Sequence, residues 1–159
     1  MVQRDFQGKH SELTESILSV FYRVYRILGY GFNESVYENS LAIELVKLGF
    51  KIDQQYGIEV FYEGRKVGVY FADLIVNDVV IIEMKAVKQL VDEHEAQLLN
   101  YLKATRIEVG LLLNFGPRPE VRRRVYDNER KGSFLWLEAI NPEKLDTDDT
   151  EYTDKNKER

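Results

Sequence analysis

Hydrophobic positions in the first fifty residues recur at intervals of three and four, which is the period of an amphipathic helix. The first such stripe follows Ser11, a residue type that caps helices, and it ends at Gly29 and Gly31. Its members are Leu13, Ile17, Val20, Phe21, Val24, Tyr25 and Leu28. A second stripe follows Asn33 and ends at Gly49, with Tyr37, Leu41, Leu45 and Leu48 as its members. The pattern therefore predicts two consecutive helices.

From Phe50 the hydrophobic period changes towards two, and β-branched and aromatic residues dominate. One run contains Ile58, Val60 and Tyr62, and the next contains Val67, Val69 and Phe71. Gly64 separates them and predicts a hairpin turn. After a turn at Asn77 and Asp78, residues 79–87 read VVIIEMKAV. A run that is apolar on both faces favours a strand in the middle of a sheet.

A third helix is predicted from Asp92, because an acid there and Glu95 three residues later resemble a capping box. Leu98, Tyr101 and Leu102 supply its apolar face, and residues 109–115 form another apolar strand. The predicted order is ααβββαβ, an α/β fold in which helices flank a mixed sheet. We assign residues 1–140 to one domain. Residues 141–159, with seven acids and four bases, are predicted to form a disordered acidic tail.

The amino-acid composition limits the kinds of metal site and partner that the chain can have. The 159-residue chain is 44% hydrophobic and 31% charged, as a globular protein is. It has no cysteine and only two histidines, which excludes thiolate zinc sites and histidine-rich cages, so a metal would need oxygen ligands. The net charge is −5, but the tail contributes −3, so charge alone does not exclude a nucleic-acid partner. We expect a cytoplasmic protein without a membrane segment, since no signal-like or spanning stretch is present.

Three charged residues interrupt apolar strands. Glu83 and Lys85 are two residues apart, so their side chains share one face. Asp73 lies directly across from Glu83 if the intervening loop holds three residues, and on the opposite face if the turn holds two. Two adjacent carboxylates repel, and a divalent cation relieves that repulsion. The alternative is a structural ion pair in which Lys85 only balances the acids.

These residues resemble the catalytic signature of the PD-(D/E)XK nuclease superfamily, which includes restriction endonucleases and lambda-exonuclease-like enzymes. The signature is an Asp, here Asp73, followed by Glu83-Met84-Lys85 on a later strand. Two further motifs are similar. Residues 31–37, GFNESVY, resemble the Gly-x-x-Glu-x-x-Tyr motif of the GxxExxY branch, and residues 97–101, QLLNY, resemble the Gln-x-x-x-Tyr motif of RecB-like nucleases. Ala72 stands where the signature has proline.

The resemblance implies a restriction-endonuclease-like fold and a Mg²⁺- or Mn²⁺-dependent nuclease that hydrolyses phosphodiester bonds, with DNA as the expected partner and a homodimer as one possible assembly. Asp73 and Glu83 would be the principal metal ligands, Glu34 an additional ligand, and the Met84 carbonyl another. Lys85 would orient the attacking water. Gln97 and Tyr101, one helical turn apart, would face the site or the DNA backbone.

Each assignment has a structural alternative. Glu34 is favoured at a helix start by the macrodipole alone, Tyr101 could simply pack, and His94 is not expected to be a ligand. An arginine-rich segment could contact phosphates or could be a charged edge strand: Arg118, Arg122, Arg123 and Arg124, with Arg130 and Lys131 beyond. At the level of function, the alternatives are an inactive nuclease-fold module that binds nucleic acid or a protein, and a hydrolase of free nucleotides.

Overall fold

The computed structural model describes residues 8–131. Helices α1 (Ser11–Leu28) and α2 (Glu34–Lys47) precede strands β1 (Ile52–Tyr62), β2 (Arg65–Val76) and β3 (Val80–Lys85). Helix α3 (Asp92–Lys103), strands β4 (Val109–Phe115) and β5 (Pro119–Val125) and a 3-10 turn (Asn128–Arg130) follow. The predicted order ααβββαβ is confirmed as far as β4. The predicted order does not include β5. This strand corresponds to the charged edge strand that was one of the two interpretations of the arginine-rich segment.

The five strands form one mixed sheet in the order β1-β2-β3-β4-β5. Neighbouring strands are antiparallel except β3 and β4, which are parallel. A parallel pair needs a crossover connection, and α3 supplies it. The strand that carries Glu83 therefore lies at the centre of the sheet, as its apolar sequence predicted. The α/β fold class is confirmed.

Helices cover both faces of the sheet, and each face has its own apolar core. Helices α1 and α2 pack on one face, where the Phe115 ring stacks on Tyr37 and meets Phe21 edge-on. Helix α3 packs on the other face through Leu98 and Leu102. Alternation along β3 sends Ile82 and Met84 to the first core and Ile81 to the second, so Glu83 and Lys85 face the side of α3.

The helix starts differ in detail from the prediction. Helix α1 begins at Ser11 itself, and its N-cap is His10 in a left-handed conformation. In α3 the acceptor of the capping bond is His94, whose Nδ1 accepts the Val91 N–H at 3.1 Å, and Glu95 instead pairs with arginines of β5. The interpretation of Asp92 and Glu95 as a capping box was therefore wrong, because Asp92 is already the first helical residue.

The predicted acidic tail, residues 141–159, lies outside the described residues, as do the two ends of the predicted 1–140 domain. Within residues 8–131, no helix has the length and apolar character that crossing a bilayer requires.

Candidate active site

The turn between β2 and β3 sets the register of the charged residues. Asn77 and Asp78 both adopt left-handed conformations, with φ of 51° and 61°, and the Val79 N–H bonds to the Val76 carbonyl. Residues 77–79 form the loop, and Val76 pairs with Val80 while Leu74 pairs with Ile82. This is the register of a three-residue loop, so the next position along brings Asp73 beside Glu83. The register required by the candidate site is confirmed.

Where β2 and β3 separate, hydrogen bonds to the carboxyl groups of Asp73 and Glu83 take the place of backbone–backbone hydrogen bonds. Regular pairing ends at Leu74 and Ile82. One step further, the Asp73 N–H donates to Oε1 of Glu83 at 3.1 Å, and the Met84 N–H donates to Oδ2 of Asp73 at 2.8 Å. Each acid is thus held by the other strand's backbone. This reciprocal arrangement fixes the distance between the two carboxylates.

Glu83 is a buried acid, with only 3% of its surface exposed. Burial raises the pKa of Glu83 to about 8, the negative charge of Asp73 adds to the rise, and the Lys85 ammonium opposes it. Burial also raises the pKa of Asp73, against the hydrogen bond from the Met84 N–H. Burial is the largest cause in both cases, so the protein disfavours the ionised forms of these two neighbouring acids.

Lys85 ends β3 two residues after Glu83, opposite Asn114 of β4. Among residues 8–131, no acidic oxygen lies within 4.0 Å of its Nζ. The structural alternative of a close ion pair between Lys85 and Glu83 is therefore not the observed arrangement. The ammonium stays available for a group that enters the site.

Asn114 fixes the chain that leaves the site after Lys85. It is fully buried, and its side-chain amide bonds to both backbone groups of Val87, each at 3.0 Å. Oε1 of Glu120 accepts from Asn114 and from the Leu90 N–H. The side chain of Asn114 thus makes the two hydrogen bonds to the Val87 backbone that a neighbouring strand would make. These bonds hold the segment between β3 and α3 in place. The sequence pattern alone did not indicate this role of Asn114.

Helix α2 presents two acids near the pair, one helical turn apart. Glu34 is exposed and lies in the first turn, and its negative charge raises the pKa values of both Asp73 and Glu83. Glu38, which the sequence analysis missed, acts more strongly on Asp73 than Glu34 does. The signal was available, because residues four apart share one helix face.

Gln55 connects this helix to the pair. Its Nε2 donates to Oε1 of Glu38 at 2.6 Å and to Oδ1 of Asp73 at 3.1 Å. Its backbone has φ of 49°, although it lies inside β1. A left-handed conformation costs a residue with a side chain about 1–2 kcal/mol. Nothing in the sequence indicated this conformation, since glycine and asparagine are the residues that usually adopt it.

Gln97 and Tyr101 of α3 lie on the other side of the pair. The Gln97 amide donates to the Tyr101 hydroxyl at 2.8 Å. Tyr101 is buried beside Tyr70, and burial raises its pKa to about 12, with the charge of Glu83 acting in the same direction. The structure thus brings Tyr101 close to Glu83, and the roles of both residues in catalysis stay predictions.

The arginine-rich segment is largely used within the fold. Arg122 and Arg124 both pair with Glu95 of α3, and Arg123 donates to the Lys9 carbonyl at 2.7 Å. Further along, Arg130 lies over the Tyr126 ring and the Lys131 ammonium donates to two backbone carbonyls. These contacts favour the edge-strand interpretation over a continuous phosphate-binding patch.

The donor atoms at the site suit a hard divalent cation. The carboxyl groups of Asp73 and Glu83 are adjacent, and Mg²⁺ in proteins is commonly held by one or two carboxylates and completed by water and substrate oxygens. In the part of the chain that the structure describes, no three acidic or imidazole groups converge on one point. Glu34 thus lies outside the immediate pair. The residues present fit a metal with a partial protein ligand set.

Comparison with known proteins identifies the family of this chain. The model of the PD-(D/E)XK nuclease superfamily matches residues 11–125. One solved structure, described as "Crystal structure of SSO0001", is 24% identical, with a TM-score of 0.44, over 82% of this chain and 66% of that one. The chain thus spans slightly less than two thirds of that protein. Curated proteins gave no match. Because the matched region contains the sheet, all three helices and the acidic pair, the chain belongs to the PD-(D/E)XK nuclease superfamily.

Proposed function

We propose that this protein is a metal-dependent nuclease that hydrolyses phosphodiester bonds, with DNA as its substrate. The observation that carries the proposal is the pair of Asp73 and Glu83, held together by reciprocal hydrogen bonds, with Lys85 on the same face of β3. Membership of the nuclease superfamily supports it. The match of residues 31–37 to the GxxExxY motif supports the narrower proposal that the chain belongs to that branch.

Asp73 and Glu83 would hold Mg²⁺ or Mn²⁺, with the Met84 carbonyl beside them and Glu34 reaching the ion through water. When bound, the ion would supply Lewis-acid activation of the phosphodiester and lower the pKa of a bound water. An ion there would also stabilise the ionised form of Glu83, which burial first and the charge of Asp73 second disfavour. Mg²⁺ and Mn²⁺ are the cations that this all-oxygen donor set favours.

Lys85 would place its ammonium against the scissile phosphate and stabilise the negative charge that grows there. A lysine without a close acidic partner is suited to this task, because its charge is not already neutralised. Gln97 and Tyr101 would face the nucleic acid from α3, and the hydrogen bond between them would hold both side chains in position.

The direct test is cleavage of labelled single-stranded DNA, double-stranded DNA and RNA by the purified chain, with Mg²⁺, with Mn²⁺ and with EDTA. We expect cleavage of DNA that requires a divalent ion, is lost in Asp73→Asn and is strongly slowed in Lys85→Ala. Lys88→Ala is the matched control, because Lys88 is an exposed lysine three residues later on the same segment. That variant should cleave as the wild type does.

Two outcomes would count against the proposal. Cleavage that persists in EDTA or in Asp73→Asn would come from another site or another protein. Salt-dependent DNA binding without turnover would favour the alternative of an inactive module. The cytoplasmic location and the homodimer stay predictions.

A further inference from the structure

The backbone around Gln55 departs from regular sheet geometry in both strands at once. On β2, Leu74 and Val76 pack in the core under α1 and α2, whereas Ala72 packs in the core under α3. Strict alternation would place Ala72 and Leu74 on the same face. The strand therefore changes face at the residue between them, which is Asp73.

Strand β1 makes the same change opposite Asp73. Ile52 packs against the core under α1 and α2, and Ile58, six residues later, packs under α3. Regular pairs flank the position, with Gln54 opposite Leu74 and Tyr56 opposite Ala72, and the pair between them is missing from the ladder. The residue of β1 at that position is Gln55, and its left-handed φ produces the change of face.

This irregularity places a neutral amide between two acids. One N–H of Gln55 points to Asp73 and the other to Glu38 of α2. A neutral donor can hold both carboxylates without neutralising either of them, so the charge needed for a cation is kept. Its neighbour Gln54 makes the contrasting contacts: its amide donates to Glu38 and Asn39 but not to Asp73.

We infer that Gln55 is a positioning residue, which orients the Asp73 carboxylate for the metal through its side-chain amide, and that its left-handed backbone serves this contact. The inference rests on the proposed metal site. Groups that hydrogen-bond a ligating carboxylate fix its orientation, and their loss usually weakens metal binding about 10–100-fold. The left-handed conformation is unfavourable for glutamine, and Gln55 adopts it next to a candidate metal ligand. Backbone strain of this kind is common at functional sites.

The test uses Gln55→Gly in the full chain. Glycine adopts a left-handed conformation readily, so this substitution removes the amide and relieves the backbone together. We expect the thermal midpoint in EDTA to stay level or rise, and the affinity for Mn²⁺ to fall about tenfold or more. Electron paramagnetic resonance of free Mn²⁺ measures that affinity without any nucleic acid. If Gln55 only supported the strand, its replacement would lower the thermal midpoint together with the Mn²⁺ affinity.

Gln54→Ala is the matched control, and its Mn²⁺ affinity should equal that of the wild type, because Gln54 does not touch Asp73. Wild-type affinity in Gln55→Gly, or an equal loss in Gln54→Ala, would overturn the role of Gln55 while leaving the metal site intact. The metal site, and this inference with it, would be overturned if the wild-type chain bound no Mn²⁺. The same holds if the wild type and Asp73→Asn had equal Mn²⁺ affinities.

Discussion

Replacing Glu83 by glutamine should remove a pH dependence of stability that this buried acid imposes on the metal-free protein. The pKa of Glu83 rises from 4.5 to about 8 in the fold, through burial first and the charge of Asp73 second, against the charge of Lys85. A raised pKa means that the native state retains a proton which the unfolded chain has lost. The stabilising contribution is therefore complete below about pH 4.5 and is lost as the pH rises through about 8.

The magnitude follows from the size of the shift. One pKa unit corresponds to about 1.4 kcal/mol, so a rise from 4.5 to about 8 corresponds to about 5 kcal/mol over the whole window. Roughly 3–4 kcal/mol of this falls between about pH 5 and about pH 8. Glu83→Gln keeps an oxygen that can accept the Asp73 N–H, and it carries no charge at any pH, so it lacks this contribution.

The measurement is urea unfolding in EDTA at a series of pH values. Relative to the wild type, Glu83→Gln should gain free energy of unfolding steadily as the pH rises, by the amount given above. Glu15→Gln is the control, because Glu15 is an exposed acid on α1, and its curve should follow the wild type. Parallel curves for the wild type and Glu83→Gln would mean that Glu83 does not retain its proton in the native state. Added Mn²⁺ should restore wild-type stability at high pH and should not affect Glu83→Gln.

Two further predictions concern charge and packing. Lys85→Ala should lower the cleavage rate about 10²–10³-fold while DNA binding stays within a fewfold of the wild type, as measured by single-turnover kinetics and filter binding; an unchanged rate would remove Lys85 from the mechanism. Gly110→Ala should destabilise the fold by about 1–3 kcal/mol in urea unfolding, because a Cβ there would lie 2.7 Å from Cδ1 of Leu98. Gly68→Ala, whose Cβ would meet nothing within 4 Å, should not destabilise it.

The sequence predicted much of the site because its key distances depend on local rules. The turn residues Asn77 and Asp78 and the apolar run after them indicated where β3 begins. The sequence left a loop of two or three residues open, and the structure has three, which brings Asp73 beside Glu83. The two-residue spacing of Glu83 and Lys85 placed them on one face of the sheet.

What the sequence did not predict depends on contacts between distant segments. Strand β5 was only one of two interpretations of the arginine-rich segment, because the segment has no continuous apolar run; in the fold, Arg122 and Arg124 pair with Glu95 instead of packing in a core. The conformation of Gln55 is set by its partners on α2 and β2, and no local propensity favours it. Asn114 looked like one polar residue in an apolar strand, and its bonds to the Val87 backbone depend on how the chain turns after β3.

A crystal of the chain soaked in Mn²⁺ would show whether Asp73 and Glu83 bind a metal, since anomalous scattering locates the ion without reference to activity. We predict one strong peak between the carboxylates of Asp73 and Glu83, with oxygen ligands at about 2.1 Å. A soaked crystal with no peak at that position, or with the peak elsewhere on the chain, would contradict it.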